Sequence, residues 1–334
     1  MSPGSGRGRP PRRAGATPGR GTGAGRPPGA RKGGAGKAGG AGKAGGASGK
    51  AGGASGRSGA ARSAGAPVRR GAGDRERAGD RRRTEHVGLG GEQVEGRQAV
   101  RELLVANRRR VKQLLFAEGM DDAPILDEIE ALAVKRRVKV DRVSRRRIDL
   151  VARTEGPQGV VALAAPVEET DLETLCQPTR DGRRPFLLVL DGITDPHNLG
   201  ALLRSAECAG VTGVVLPKHR SAHLSPTVAK VAAGAIEYLR MALVPGVPSA
   251  LQRMTALGLW TVGLDGDAPR SLYGLPLEAE PVALVLGSEG DGLSALTRKR
   301  CDALAAIPQH GTLASLNVAT AGAIACFDIA RRRG

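Results

Sequence analysis

Past about residue 90 the chain alternates short apolar runs with stretches whose apolar positions fall three and four apart. The runs predict buried strands and the three-to-four spacing predicts one-sided helices. Val94, Val100, Leu103 and Leu104 predict an amphipathic helix over 94–107. Strands at 111–117, 138–143 and 159–163, with helices at 124–135 and 145–154, complete a small α/β domain bounded as 91–166. Residues 167–184 carry Pro178 and Asp181-Gly182 as turn formers and predict a linker. A second domain, 185–334, repeats strand and helix. Its strands are predicted at 186–190, 213–216, 239–244, 259–262, 282–286 and 304–307. Its helices are predicted at 199–209, 227–233, 248–257, 294–300 and from Ser315 to the closing Arg331-Arg332-Arg333. Continuous apolar strands separated by helices imply a mainly parallel sheet with helices on both faces.

Composition changes the picture at the N-terminus. The 334-residue chain has a formal charge of +18. Residues 1–90 hold 20 Lys+Arg and 4 Asp+Glu, which leaves 31 and 29 for 91–334. The basic excess therefore belongs to a Gly/Ala/Arg/Lys-rich tail, in which Gly-Lys-Ala-Gly-Gly-Ala recurs at 36–41, 42–47 and 49–54. Such a segment has too little apolar surface to offset its ordering entropy, so disorder is expected over 1–90. Its Gly-Lys pairs are not phosphate loops, because each Lys is followed by Ala and no strand precedes them. A basic flexible tail suits salt-sensitive contact with nucleic acid. Three clusters on the small domain, Arg108-Arg109-Arg110, Lys135-Arg136-Arg137 and Arg145-Arg146-Arg147, are either solvated charges or an RNA-backbone surface.

Cys176, Cys208, Cys301 and Cys326 form no CxxC pair and are expected to be buried free thiols. The five histidines are scattered, so no metal site is expected. No apolar run reaches membrane-spanning length and no signal-peptide core is present, which points to a cytoplasmic protein.

Candidate chemistry lies just beyond the strand ends, where open α/β sheets bind ligands. Three loops qualify. One runs Asp191-Gly192-Ile193-Thr194-Asp195-Pro196-His197-Asn198-Leu199-Gly200, with Arg204 six residues after Asn198. The second is Gly287-Ser288-Glu289-Gly290-Asp291-Gly292-Leu293. The third runs from Ile307-Pro308 through Gly311 to Ser315-Leu316-Asn317-Val318. None matches a dinucleotide fingerprint or a Walker loop. Asp191 and Asp195 read as turn and cap residues. Ser315 and Asn317 read equally as caps on the last helix or as ligand-holding groups at its N-terminus.

Together the three loops resemble the motifs of the SpoU-type RNA ribose 2′-O-methyltransferases of the trefoil-knotted (SPOUT) superfamily. The resemblance covers about 94–334, and its first part resembles the L30e-like RNA-binding module of the ribosomal-RNA members. It implies a knotted, mainly parallel sheet and S-adenosyl-L-methionine bound against Leu286, Gly287, Ile307, Ser315 and Leu316. It implies catalytic-site roles for Asn198, Arg204, Glu289, Ser315 and Asn317. Arg204 would stabilise the developing alkoxide and grip a phosphate, since guanidinium rarely gives up a proton. Asn198 would orient Arg204 or the ribose. The implied substrate is ribosomal RNA, with a guanosine of 23S rRNA as the expected target, and the implied assembly is a homodimer through the knotted domain. The alternatives are a tRNA guanosine enzyme, an rRNA adenosine enzyme conferring antibiotic resistance, and a non-catalytic RNA-binding assembly factor.

Overall fold

The computed structural model describes residues 88–334, apart from Ala279 and Ala314. The tail expected over 1–90 lies outside them except for its last three residues. Of these, Leu89 is buried and Gly90 bridges Leu224.

The first sheet contains β1 (Gln93–Glu95), β2 (Val111–Ala117), β3 (Val140–Val143) and β4 (Val160–Ala164), in the order β1-β4-β2-β3. β4 runs antiparallel to β1 and β2, and β2 runs parallel to β3. Its helices are α1 (Arg97–Ala106), α2 (Pro124–Arg136) and α3 (Arg145–Val151). α1 starts later than the spacing predicts, because Val94 and Glu95 pair with β4 and Gly96, at φ 93, turns the chain into the helix. Pro124 opens α2 at a position where no N–H is needed.

The segment expected to be a linker is packed. Thr170 donates its N–H to Met241 O at 2.7 Å, and α4 (Leu172–Leu175) buries Leu175 completely. The second sheet contains β5 (Phe186–Asp191), β6 (Gly213–Pro217), β7 (Met241–Val244), β8 (Trp260–Leu264), β9 (Val282–Gly287) and β10 (Ala303–Ala305). All pairings are parallel, in the order β10-β8-β9-β5-β6-β7. Around it lie α5 (Pro196–Cys208), α6 (Pro226–Val231), α7 (Val247–Ala256), α8 (Ala295–Arg300) and α9 (Val318–Arg333). The two-residue period of β5 divides the core. Leu188 and Leu190 pack on one face with residues of α5, α6 and α9, while Leu187 and Val189 pack on the other with α4 and α7.

The last helix begins at Val318 rather than Ser315. Residues 315–317 have no regular secondary structure, and Asn317 is the cap, accepting from Ala319 N at 2.9 Å and Thr320 N at 3.3 Å. Its closing arginines do more than complement the helix dipole. Arg332 donates to Leu272 O and Leu275 O, and Arg333 donates to Glu280 O and lies over the Phe186 ring.

The two sheets share one hydrophobic core, in which Leu103 and Phe116 join Leu188 and Leu203. A buried ion pair bridges them: Arg109 Nη2 lies 2.6 Å from Glu237 Oε1, with side chains 4% and 2% exposed. The same guanidinium donates to Gly91 O and Ala165 O. Arg109 is thus a structural residue, not a solvated or RNA-facing charge.

All four cysteines are free, but contrary to expectation Cys208, at the end of α5, is exposed and Cys301 is only partly buried. Burial pushes the Cys176 thiol up to about 11 and those of Cys301 and Cys326 up to about 12. Among the described residues no helix is long and apolar enough to cross a membrane.

Candidate active site

The three glycine-bearing loops follow β5, β9 and β10, and side chains from all three meet. After β5, Asp195 caps α5 by accepting from His197 N at 3.1 Å and Asn198 N at 3.3 Å. With Pro196 in the first position the helix begins three residues earlier than the apolar spacing alone predicts. That start places Asn198 inside the first turn, buried to 8% exposure.

β9 ends at Gly287, and the next residues fold straight back. Ser288 and Gly292 exchange backbone hydrogen bonds of 3.0 Å in both directions. A Cβ at Gly287 would lie 2.0 Å from Gly292 C, so only glycine allows this return. The turn carries Glu289 toward Asn198, whose Nδ2 donates to Glu289 Oε2 at 2.7 Å. Asn317 Nδ2 donates to Asn198 Oδ1 at 2.9 Å and to Glu289 Oε1 at 3.5 Å. Asn317 therefore caps α9 with its oxygen and holds the other two loops with its nitrogen. Capping and loop assembly are one geometry.

Beside this cluster lies a cavity of about 440 Å³, a size suited to a small-molecule site. Leu286, Ile307 and Leu316 supply apolar wall, and Gly287, Ser315 and Asn317 also line it. All the cofactor-contact residues expected from the motifs are thus in one place. The structure adds two residues that the sequence reading missed, Asp265 and Asp267, beyond the end of β8. The strand-end rule that found the other three loops would have found this one. With Glu289 and Asp291 they make four carboxylates around the cavity, against one guanidinium, Arg298, which is paired to Asp265 at 2.7 Å. A pyrophosphate would be repelled there, whereas a small cation with an apolar body fits. S-adenosylmethionine, with its sulfonium and ammonium groups, is such a molecule.

Two sequence expectations are corrected. Ser315 is neither helical nor a cap; it lines the cavity from an exposed position. Asn198 does not orient Arg204, since its amide is held by Glu289 and Asn317. Six residues of helix turn the chain through about 600° and advance it about 9 Å. Arg204 consequently lies on another side of α5, exposed and outside the cavity. Among the described residues its guanidinium has no hydrogen-bond or ion-pair partner. His197 lines a different cavity, about 640 Å³, between α1, the 153–158 segment and α6. Asp191 reaches beyond its own turn, accepting from the N–H of Ser294, the residue that caps α8, at 3.2 Å. Among the described residues no group of three or more His, Cys, Asp or Glu side chains is placed to hold a metal ion.

Comparison with known proteins agrees with this geometry. The SpoU rRNA methylase family matches residues 185–327, and the "RNA 2′-O ribose methyltransferase substrate binding" family matches 93–170. A 23S rRNA (guanosine-2′-O-)-methyltransferase RlmB from Pseudomonas aeruginosa is 45% identical over 246 residues, spanning 72% of this chain and 97% of the relative. The chain belongs to the SpoU rRNA methylase family. Another relative of that name, from Pectobacterium atrosepticum, is 39% identical over 73% of this chain and 99% of its own. Among solved structures, an AdoMet-bound rRNA methyltransferase from Sinorhizobium meliloti superposes with a TM-score of 0.60 at 26% identity, covering 72% of this chain and 86% of that one. An RNA 2′-O ribose methyltransferase does so with the same score and identity, covering 72% and 88%. The parallel sheet with helices on both faces is thus the SpoU fold, the trefoil-knotted class expected from the motifs.

Proposed function

We propose that this SpoU-family chain transfers a methyl group from S-adenosylmethionine to the ribose 2′-hydroxyl of a guanosine in 23S rRNA. The observation that carries the reading is the junction of Asn198, Glu289 and Asn317 beside an acid-lined cavity. The relatives named as 23S rRNA guanosine 2′-O-methyltransferases, aligned over almost their whole length, support the substrate. The division of labour we infer gives RNA uptake to 91–166 and catalysis to 185–334. A cytoplasmic homodimer, paired through the catalytic domain, completes the reading.

The cofactor supplies an electrophilic methyl on a positively charged sulfur, so departure leaves a neutral thioether. The chain's residues then have three tasks. The walls at Leu286, Ile307 and Leu316 would hold the apolar part of the ligand, and the backbone at Gly287 and Ser315 would direct it. The carboxylates of Asp267, Glu289 and Asp291, which have no cationic partner among the described residues, favour a cation there. The third task falls to Arg204. A ribose hydroxyl is a poor nucleophile at neutral pH and needs alignment; as its oxygen bonds the methyl and the methyl–sulfur bond breaks, its proton passes to solvent water. An unpaired, exposed guanidinium suits the alkoxide that develops and the phosphate beside it. Glu289 and Asn317 fix the walls of the cofactor cavity, and Arg204 acts on the RNA from outside it.

The test is incorporation of labelled methyl from S-adenosylmethionine into purified 23S rRNA, 16S rRNA and tRNA in parallel. Label confined to 23S rRNA is expected. Label in tRNA alone, or in none, contradicts the reading.

A further inference from the structure

Of the three basic clusters of the small domain, Arg145-Arg146-Arg147 is exposed at the start of α3 without a side-chain hydrogen bond or ion pair among the described residues, and the other two divide within themselves. Arg109 is buried against Glu237, Arg108 donates to Tyr238 O, and Arg136 donates to Leu104 O and Val105 O. These guanidinium groups hold the fold together. Arg110, Lys112 and Arg137 do not. Each is exposed, and among the described residues none of their side chains makes a hydrogen bond or ion pair.

These three come from two equivalent connections. β2 and β3 are parallel neighbours, with Leu114 opposite Val140, so the chain enters both from the same edge. It does so directly after α1 and after α2, each closed by a left-handed residue, Asn107 and Arg137. The result is a cavity of about 320 Å³ lined by Arg110, Lys112, Arg137 and Lys139. No carboxylate lines it, whereas four line the cofactor cavity.

Cations near helix C-termini can serve merely to offset the helix dipole. Here that role is already filled. Arg136 satisfies the last carbonyls of α1, and the backbone N–H groups of Asn107, Arg137 and Val138 cap Leu103 O, Val134 O and Ala133 O. Arg110, Lys112 and Arg137 remain as unspent positive charge around a concave surface.

The geometry points to this cavity as a grip on the phosphodiester backbone of the substrate RNA. The assignment rests on the proposed function for the identity of the RNA, and the phosphate chemistry stands without it. Phosphate contacts position a nucleic acid without reading its sequence, so the cavity orients the RNA and leaves the choice of nucleotide to the catalytic domain.

The test compares the full chain with the triple variant R110A/K112A/R137A on deproteinised 23S rRNA, across a salt series. Binding is expected to weaken by about tenfold or more at low salt, and the slope of log K against log salt to fall by about 2–3, since each phosphate contact contributes about 0.7–0.9. The tail contributes equally to both proteins and cancels. S-adenosylmethionine affinity and the melting temperature should not move. The charge-preserving R110K/R137K should bind like the parent, which separates charge from packing. Unchanged affinity and slope in the triple variant overturn the proposal. So does stabilisation of the parent, but not the variant, by inorganic phosphate with RNA affinity unaltered, which would make this a free-anion site. If the parent methylates 23S rRNA and the variant does so equally well, the grip is wrong and the activity stands. If the variant loses RNA affinity while the parent methylates nothing, the grip stands and the activity is wrong.

Discussion

The Asn198 amide donates to the Glu289 carboxylate at 2.7 Å, joining the first turn of α5 to the glycine turn after β9 across 91 residues of sequence. The bond is charge-assisted, and a bond of that kind contributes about 1.5–3 kcal/mol. Asn198→Asp replaces it with two carboxylates at the same separation. The turn carrying Glu289 should move away, and S-adenosylmethionine affinity should fall by about tenfold or more. Calorimetric titration measures this. An Asn198→Asp variant that binds the cofactor like the parent would remove the junction from the account.

Arg204 gives the opposite signature. It lines neither the cofactor cavity nor the Asn198 cluster. Arg204→Ala should therefore leave cofactor affinity within about twofold and lower single-turnover methyl transfer by about 10²–10³, the usual loss when one stabilising donor is removed. Unchanged transfer would show that the free guanidinium has no part in the reaction.

Two glycines separate binding from packing. A Cβ at Gly287 would lie 2.0 Å from Gly292 C, and one at Gly213, away from the cofactor cavity, would lie 2.8 Å from Leu175 Cδ2. Gly287→Ala should displace the 288–292 turn and abolish measurable cofactor binding. Gly213→Ala should overpack β6 against α4 and cost about 1–3 kcal/mol of stability. Urea denaturation with cofactor titration distinguishes the two. Equal effects of both on binding would contradict the assignment of the cavity to the β9 loop.

The Arg109–Glu237 pair predicts a stability effect far from the chemistry. Glu237→Ala leaves a buried guanidinium without its counter-charge and should cost about 3–5 kcal/mol. A double replacement, R109M/E237L, should recover part of that loss. A double variant no more stable than Glu237→Ala in urea denaturation would show that the remaining bonds of Arg109, to Gly91 and Ala165, hold the two sheets together.

The strands were legible because a buried parallel sheet writes itself as continuous apolar runs, as in Phe186–Asp191 and Val282–Gly287. The junction of Asn198, Glu289 and Asn317 was legible only through motifs, because the three lie far apart in sequence. Other features depend on tertiary context. Leu316 and the small residues before it continue the apolar rhythm of α9, so nothing local marks Asn317 rather than Ser315 as the cap. Arg109 and Arg110 are chemically identical neighbours, and only Glu237, 128 residues away, makes one structural and leaves the other free. Asp265 and Asp267 follow a strand as the motif loops do, but they carry no motif of their own.

The central claim is chemical, and its most direct test is to identify the methylated atom. Ribosomal RNA treated with the enzyme and S-adenosylmethionine is digested to nucleosides, and the products are resolved by mass spectrometry with the modified position mapped on 23S rRNA. The account predicts 2′-O-methylguanosine at a single position. A base-methylated nucleoside, or 2′-O-methyladenosine in its place, would contradict it.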